Sequence, residues 1–256
     1  LIADKLELNA DSLEKSPVLY LPSYYHAETQ AAEHLMKLNK EIGSSMADIP
    51  PAFLSIEGAV SDEQQEAIRN AIRSRVSILT GGPGTGKTTA MKGLIEVLNQ
   101  NKKKYALCSP TGRAAKRLSE ATDEPASTIH RLLRYSPRDG FQFNQELPLK
   151  LDMVIVDEAS MIDTILLYHL IMAIKPGTHL LFVGDIDQLP SVGAGDVMRE
   201  LIQSNQFKVT RLTKIFRQAE GSHIIHNAHL INSGQQPDFI EGSTDFFKFP
   251  APTPEK

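Results

Sequence analysis

Gly81-Gly82-Pro83-Gly84-Thr85-Gly86-Lys87-Thr88 fits the pattern G-x-x-x-x-G-K-S/T. It lies directly between an apolar run of strand length, Val76 to Thr80, and an amphipathic helical stretch. Those flanks constrain the fold more than any other feature, because a chance glycine turn beside a lysine would lack both. Glycines let the backbone wrap closely enough for its N–H groups to converge on phosphate oxygens, and the helix that follows points its positive end at the same charge. The spacing assigns Lys87 to the β- and γ-phosphates of a nucleotide. Thr88 becomes a ligand of Mg²⁺, and Gly82, Pro83, Gly84, Thr85, Gly86 and Thr89 complete the cradle.

The same grammar repeats along the chain. Apolar runs at Val76 to Thr80, Tyr105 to Ser109, Met153 to Val156 and His179 to Val183 are each followed by helical spacing, which predicts an α/β fold with a parallel sheet covered by helices on both faces. A fifth strand, Phe207 to Leu212, precedes a helix from Ser222 to Asn232 that Gly234 can stop. Between the second and third strands, Pro137-Arg138-Asp139-Gly140 marks the turn of a short inserted hairpin within 134–149, flanked by Tyr135, Phe141 and Phe143. Ahead of the sheet, His26 to Ile42 reads as a helix closed by Pro50-Pro51. The expected organisation is a helical end of a preceding domain over 1–55, a first nucleotide-binding domain over 56–206, and the start of a second over 207–256. Both ends of the chain read as cuts.

With 256 residues, 41% of them hydrophobic, the chain can bury a substantial core. Its net charge of −4 gives no global field for nucleic acid, so any such contact must come from a local groove. The lone Cys108 permits no internal disulfide, in keeping with a reducing cytoplasmic setting. No apolar run approaches the roughly 18 residues needed to span a bilayer. Two further patterns invite a specific role and favour a bland one. His223, His226 and His229 rotate off a common helix face, which argues against a metal, and Lys102-Lys103-Lys104 reads as a solvated corner.

Val154-Ile155-Val156 ends in Asp157-Glu158. Alone, an acidic pair after a strand fits a helix cap equally well. Paired with the phosphate loop, Asp157 is a Mg²⁺ ligand and Glu158 the group that orients or deprotonates an attacking water. The glycine spacing does not fit the dinucleotide fingerprint G-x-G-x-x-G, and no N-K-x-D guanine-reading motif follows, which favours ATP.

Five more stretches occur in a fixed order around this pair. Ser61-Asp62-Glu63-Gln64-Gln65-Glu66-Ala67 precedes the phosphate loop. Ser109-Pro110-Thr111-Gly112-Arg113-Ala114-Ala115 and Ser127-Thr128-Ile129-His130 follow the second strand. Gly184-Asp185-Ile186-Asp187-Gln188-Leu189-Pro190-Ser191-Val192 follows the fourth, and Leu212-Thr213-Lys214-Ile215-Phe216-Arg217-Gln218 the fifth. Together they resemble the RecD-like helicases, in the 5′→3′ branch of helicase superfamily 1. The resemblance runs from about residue 55 to 247, with a fainter echo in Leu21 to Glu28.

It implies a RecA-like P-loop NTPase fold, ATP and Mg²⁺ as cofactors, and single-stranded DNA and single-strand/duplex junctions as partners. By resemblance, Gln64 reads the adenine edge, although Ser61 to Gln64 also reads as a helix cap. Pro110, Thr111, Arg113, Thr128 and His130 grip the DNA strand, Gln188 senses the γ-phosphate, and Arg217 reaches it across a cleft between two motor domains. The hairpin is then a pin that splits the duplex, with Phe141 and Phe143 as its aromatic side chains. Later motor motifs do not occur before Lys256, so this stretch is expected to bind nucleotide better than it turns it over. Two other readings are a nucleotide-gated binding module and the motor of a conjugative relaxase-linked helicase.

Overall fold

A computed structural model of the chain describes residues 21–41, 43–54, 60–214, 222–239, 243 and 245–248. Its centre is a six-stranded, all-parallel sheet in the spatial order β3-β2-β6-β7-β1-β8. The strands are β1 (Val76–Gly81), β2 (Tyr105–Ser109), β3 (Ala126–Thr128), β6 (Met153–Val156), β7 (His179–Gly184) and β8 (Lys208–Leu212). A separate two-stranded ribbon is formed by β4 (Tyr135–Ser136) and β5 (Gly140–Phe141).

Strand side chains alternate between two cores, as a pleat with both faces covered requires. Ile78, Val154, Val156, Leu180 and Phe182 point to one face and pack with Leu35, Leu167, Leu170 and Leu201. Leu79, Met153, Ile155, Leu181 and Val183 point to the other and pack with Ile68, Ile72, Leu94 and Leu118. The first face is covered by α1 (Pro22–Lys40), α6 (Thr164–Met172) and α7 (Val197–Gln203). The second is covered by α2 (Asp62–Arg73), α3 (Lys87–Gln100) and α4 (Gly112–Thr122). Among the described residues there are also a single turn α5 (Ile129–Leu132) and the helix α8 (His223–Asn232).

All five expected strands match within one residue, whereas β3 was not expected: its three residues are half-buried and carry no apolar run. The helix α1 packs into the same core as one face of the sheet, with Ala31 and Leu35 fully buried against α6. On the other flank of the sheet, β8 pairs in parallel with β1, Ser77 to Lys208 through Gly81 to Leu212. The lysine corner is not simply solvated. Lys103 Nζ donates to Ser45 O at 2.5 Å and pairs with Asp48, tying the segment after α1 to the turn before β2. Among the described residues no helix is long and apolar enough to cross a membrane.

Candidate nucleotide site and nucleic-acid face

Every strand of a parallel sheet delivers its following loop to the same edge. The loops after β1, β2, β3, β6 and β7 therefore converge, and they carry nearly all the residues singled out from the sequence. The phosphate loop turns into α3 through Gly86, whose φ of 87° is a left-handed conformation open to glycine. Inside the loop Thr85 is buried, and its hydroxyl donates to Gly82 O at 2.8 Å. Lys87 Nζ donates to Gly81 O at 2.5 Å and to Gly82 O at 3.1 Å, so its ammonium lies over the loop, where it can meet phosphate oxygens. Thr88 and Thr89 stay exposed on the first turn of α3.

Asp157 closes β6, its N–H donating to Cys108 O at 2.9 Å. Burial pushes its carboxyl up to about 6 and the charge of Glu158 adds to this, while the Glu158 N–H and the Lys87 ammonium pull the other way. A carboxylate so poorly compensated suits a hard divalent cation with oxygen ligands, and the exposed Thr88 hydroxyl is of the same ligand type, so the two fit Mg²⁺ by their chemistry. Glu158 itself adopts φ 53° and ψ 41°, a left-handed conformation costing a non-glycine residue roughly 1 kcal/mol. Such strain is found where a side chain must be aimed.

After β7, the buried Asp185 organises its loop: Oδ1 accepts from Asp187 N at 3.1 Å and Oδ2 from Gln188 Nε2 at 3.4 Å. A cleft of about 390 Å³ opens there, lined by Gly82, Pro83, Asp185, Asp187 and Gln188 on one side and by Ala228, Ile231 and Asn232 of α8 on the other. The helix α8 is secured by the buried Asn227, whose Nδ2 donates to His223 O and Asp238 O, both at 2.9 Å. His223 Nδ1 meets Ser243 Oγ at 2.8 Å.

Gln64 sits differently from the adenine-reading position the resemblance implies. It is 1% exposed; its Oε1 accepts from Ser61 N at 2.9 Å in a capping box, and its Nε2 donates to Gly86 O at 3.2 Å. Its amide thus braces the phosphate loop. Arg217 lies outside the described residues. The chain leading to it ends in a contact that sequence reasoning missed, because its partners are 150 residues apart: the Glu63 carboxylate accepts from Thr213 N at 2.9 Å and Thr213 Oγ1 at 2.6 Å.

On the same edge, beyond β2 and β3, Thr111 caps α4 by accepting from Ala114 N at 3.2 Å, and Thr128 caps α5 by accepting from Arg131 N at 3.1 Å. Pro110 is half-buried and Arg113 exposed. His130 is exposed and joins a run of rings, with centroids 5.4 Å from Tyr135 and 5.5 Å from Phe141; Phe141 in turn stacks on His169 at 4.2 Å. The hairpin differs from the expected one in which aromatics it offers. Phe141 and Phe143 are half-buried against the main core, Phe143 beneath Arg134 at 5.1 Å, whereas Tyr135 is 48% exposed. Tyr135 and Phe141 are opposed across the ribbon, with ring centroids 4.8 Å apart, so Phe141 lies between the core and the more exposed Tyr135 ring.

Comparison with known proteins matches the AAA domain family to residues 64–194, just over half of the chain. The chain belongs to the AAA domain family. It is 42% identical over 222 residues to the ATP-dependent RecD2 DNA helicase of Deinococcus radiodurans, a match covering 86% of this chain and 30% of that protein. It is 34% identical over 212 residues to the RecBCD enzyme subunit RecD of Mycolicibacterium smegmatis, covering 73% of this chain and 38% of that one. This AAA domain chain is thus RecD-like, and it spans about a third of the length of these relatives. The Pif1 helicase of Candida albicans shares its fold, with a TM-score of 0.52 at 22% identity over 71% of this chain and 45% of the other.

Proposed function

We propose that this chain is the nucleotide-binding motor segment of an ATP-dependent DNA helicase that couples ATP hydrolysis to 5′→3′ movement on single-stranded DNA. The observation that carries the reading is the arrangement at one edge of the sheet: Lys87 donates to Gly82 O and its charge acts on Asp157 beside Glu158, while Gly82 lines one cleft with Gln188. In it the phosphate-loop amides and Lys87 neutralise the β- and γ-phosphates of ATP. Bound Mg²⁺, on Thr88 and Asp157, supplies further positive charge to those oxygens. Glu158 orients the attacking water, and Gln188 reports the γ-phosphate to the loop that carries it. Arg217 adds transition-state charge from the far side, a contribution worth about 10³ to 10⁵ in rate for such an arginine.

The strand lies over Pro110, Thr111, Arg113, Thr128 and His130, where helix-start amides and a cation suit phosphates and exposed rings suit bases. Opening a base-pair step costs about 1.4 kcal/mol and stacking one base on an aromatic ring returns about 1 to 3 kcal/mol, so gripping the strand can offset melting. Direction requires that nucleotide state change the grip of one domain relative to the other. The test uses a full-length protein carrying this segment, on duplexes with either a 5′ or a 3′ single-stranded tail. Unwinding from the 5′ tail, abolished by Lys87→Ala, is expected. ATP hydrolysis stimulated by a protein partner and indifferent to DNA would overturn the reading in favour of a nucleotide-gated binding module.

A further inference from the structure

The first turn of α2 touches two parts of the motor that are far apart in sequence. Its capping box, Ser61 with Gln64, fixes the turn, and Gln64 Nε2 reaches Gly86 O in the phosphate loop. The neighbouring residue faces the other way. Glu63 Oε2 accepts from Thr213 N at 2.9 Å and Lys214 N at 3.3 Å, while its Oε1 accepts from the Thr213 hydroxyl at 2.6 Å. One turn pair further along, Asn70 Nδ2 donates to Thr210 Oγ1 at 2.9 Å, so α2 is tied to both β8 and the chain leaving it.

The phosphate loop abuts the same point. A side chain at Gly81 would bring its Cβ within 2.8 Å of Leu212 O, so backbone packs directly on backbone there. Three donors on one carboxylate hold the Glu63 carboxyl below the usual carboxylate range, and an ionised acceptor makes the stronger kind of hydrogen bond. Nothing comparable is needed to end a strand: β8 is already paired with β1 through Leu212. The extra contacts bear on residues 213 and 214, the last ones before the segment that carries Arg217.

We propose that Glu63 is a positioning residue that locks Thr213 and Lys214 to the first turn of α2, so that the Arg217 segment starts from a point fixed relative to the phosphate loop. The proposal rests on the motor reading above for its effect on turnover, though not for the lock itself. Catalytic groups must be held close to their working geometry, and a misplacement of about 1 Å can cost about 10²-fold in rate. Glu63 touches neither nucleotide nor water in this role. It acts on the departure point of the arginine, and Gln64, one residue along, acts on the phosphate loop; a single helix turn sets the two against each other.

In the full-length protein, Glu63→Ala should lower kcat for DNA-stimulated ATP hydrolysis by about 10- to 100-fold and leave KM for ATP within about two-fold. Thr213→Val, which removes the hydroxyl's hydrogen bond and leaves the two backbone donors, should lower kcat in the same direction by less, and Thr213→Ser should keep the parent rate. The double variant Glu63→Ala/Thr213→Val should be no worse than Glu63→Ala alone, since the acceptor of the Thr213 hydroxyl is already gone. Amide hydrogen exchange supplies a readout that does not need activity: the Thr213 and Lys214 amides should be protected in the parent and lose that protection in Glu63→Ala, with the strand amides of β8 unchanged. Unchanged exchange at those two amides, or an unaltered kcat in Glu63→Ala, overturns the lock. A parent protein that neither binds nor hydrolyses ATP while showing the exchange difference would sink the motor reading and leave the lock standing.

Discussion

Acidifying the protein in the absence of metal and nucleotide titrates two groups whose effects on stability have opposite signs, His179 and Asp157. His179 is fully buried at the start of β7; its Nδ1 donates to Ala71 O at 3.0 Å, which makes Nε2 the acceptor for the Arg75 guanidinium at 2.8 Å and the Ser44 hydroxyl at 2.7 Å. Burial, helped by the nearby Arg75 charge, lowers its pKa from 6.5 to about 4. The unfolded chain takes up a proton first, so stability is intact above about pH 6.5 and is lost as pH falls towards 4, by about 3 kcal/mol in full. Asp157 runs the other way. Its pKa rises from 3.8 to about 6, so the folded chain takes up the proton first and stability is gained as pH falls through 6. Asp157 is half-buried, and solvent screening leaves its gain at about 2 kcal/mol.

The two largely offset each other in the parent, where urea midpoints should fall only slightly between about pH 7 and about pH 4.5. Asp157→Asn removes the gain and should expose a steep loss over that window. His179→Gln removes the loss and should turn the slope upward, so that the variant, less stable at neutral pH, gains on acidification. Urea unfolding in chelator, followed by circular dichroism at several pH values, reads all three slopes. Three parallel curves would show that neither group is held as its burial and partners require.

Glu158→Gly should raise stability by about 1 kcal/mol by relieving the left-handed backbone, while cutting ATP hydrolysis by about 10² to 10⁴; thermal unfolding and phosphate release check the two signs. Phe143→Ala should destabilise the fold by about 2 kcal/mol because that ring packs on the core, whereas Tyr135→Ala should leave stability within about 0.5 kcal/mol and weaken single-stranded DNA binding, as measured by fluorescence anisotropy. Lys103→Met should cost about 1 to 2 kcal/mol by leaving Ser45 O without its donor, seen as a lower urea midpoint.

The alternation of apolar runs with helical spacing was enough to place five of the sheet's six strands, since that signal comes from residues adjacent in the chain and their preference for one face. The phosphate loop and the Asp157-Glu158 turn were legible for the same reason: each is one short segment whose chemistry follows from its own spacing. Tertiary structure decided what each end of the chain joins. The helix α1 and the strand β8 carry ordinary amphipathic patterns that do not name their partners, and only packing assigns them to the motor's core and sheet. It also decided where amides and carboxylates are spent. Gln64 turns inward to Gly86, and Glu63 reaches Thr213 across 150 residues, because a polar side chain in a folded protein bonds whatever donor or acceptor the topology brings within about 3 Å, and sequence distance has no bearing on that.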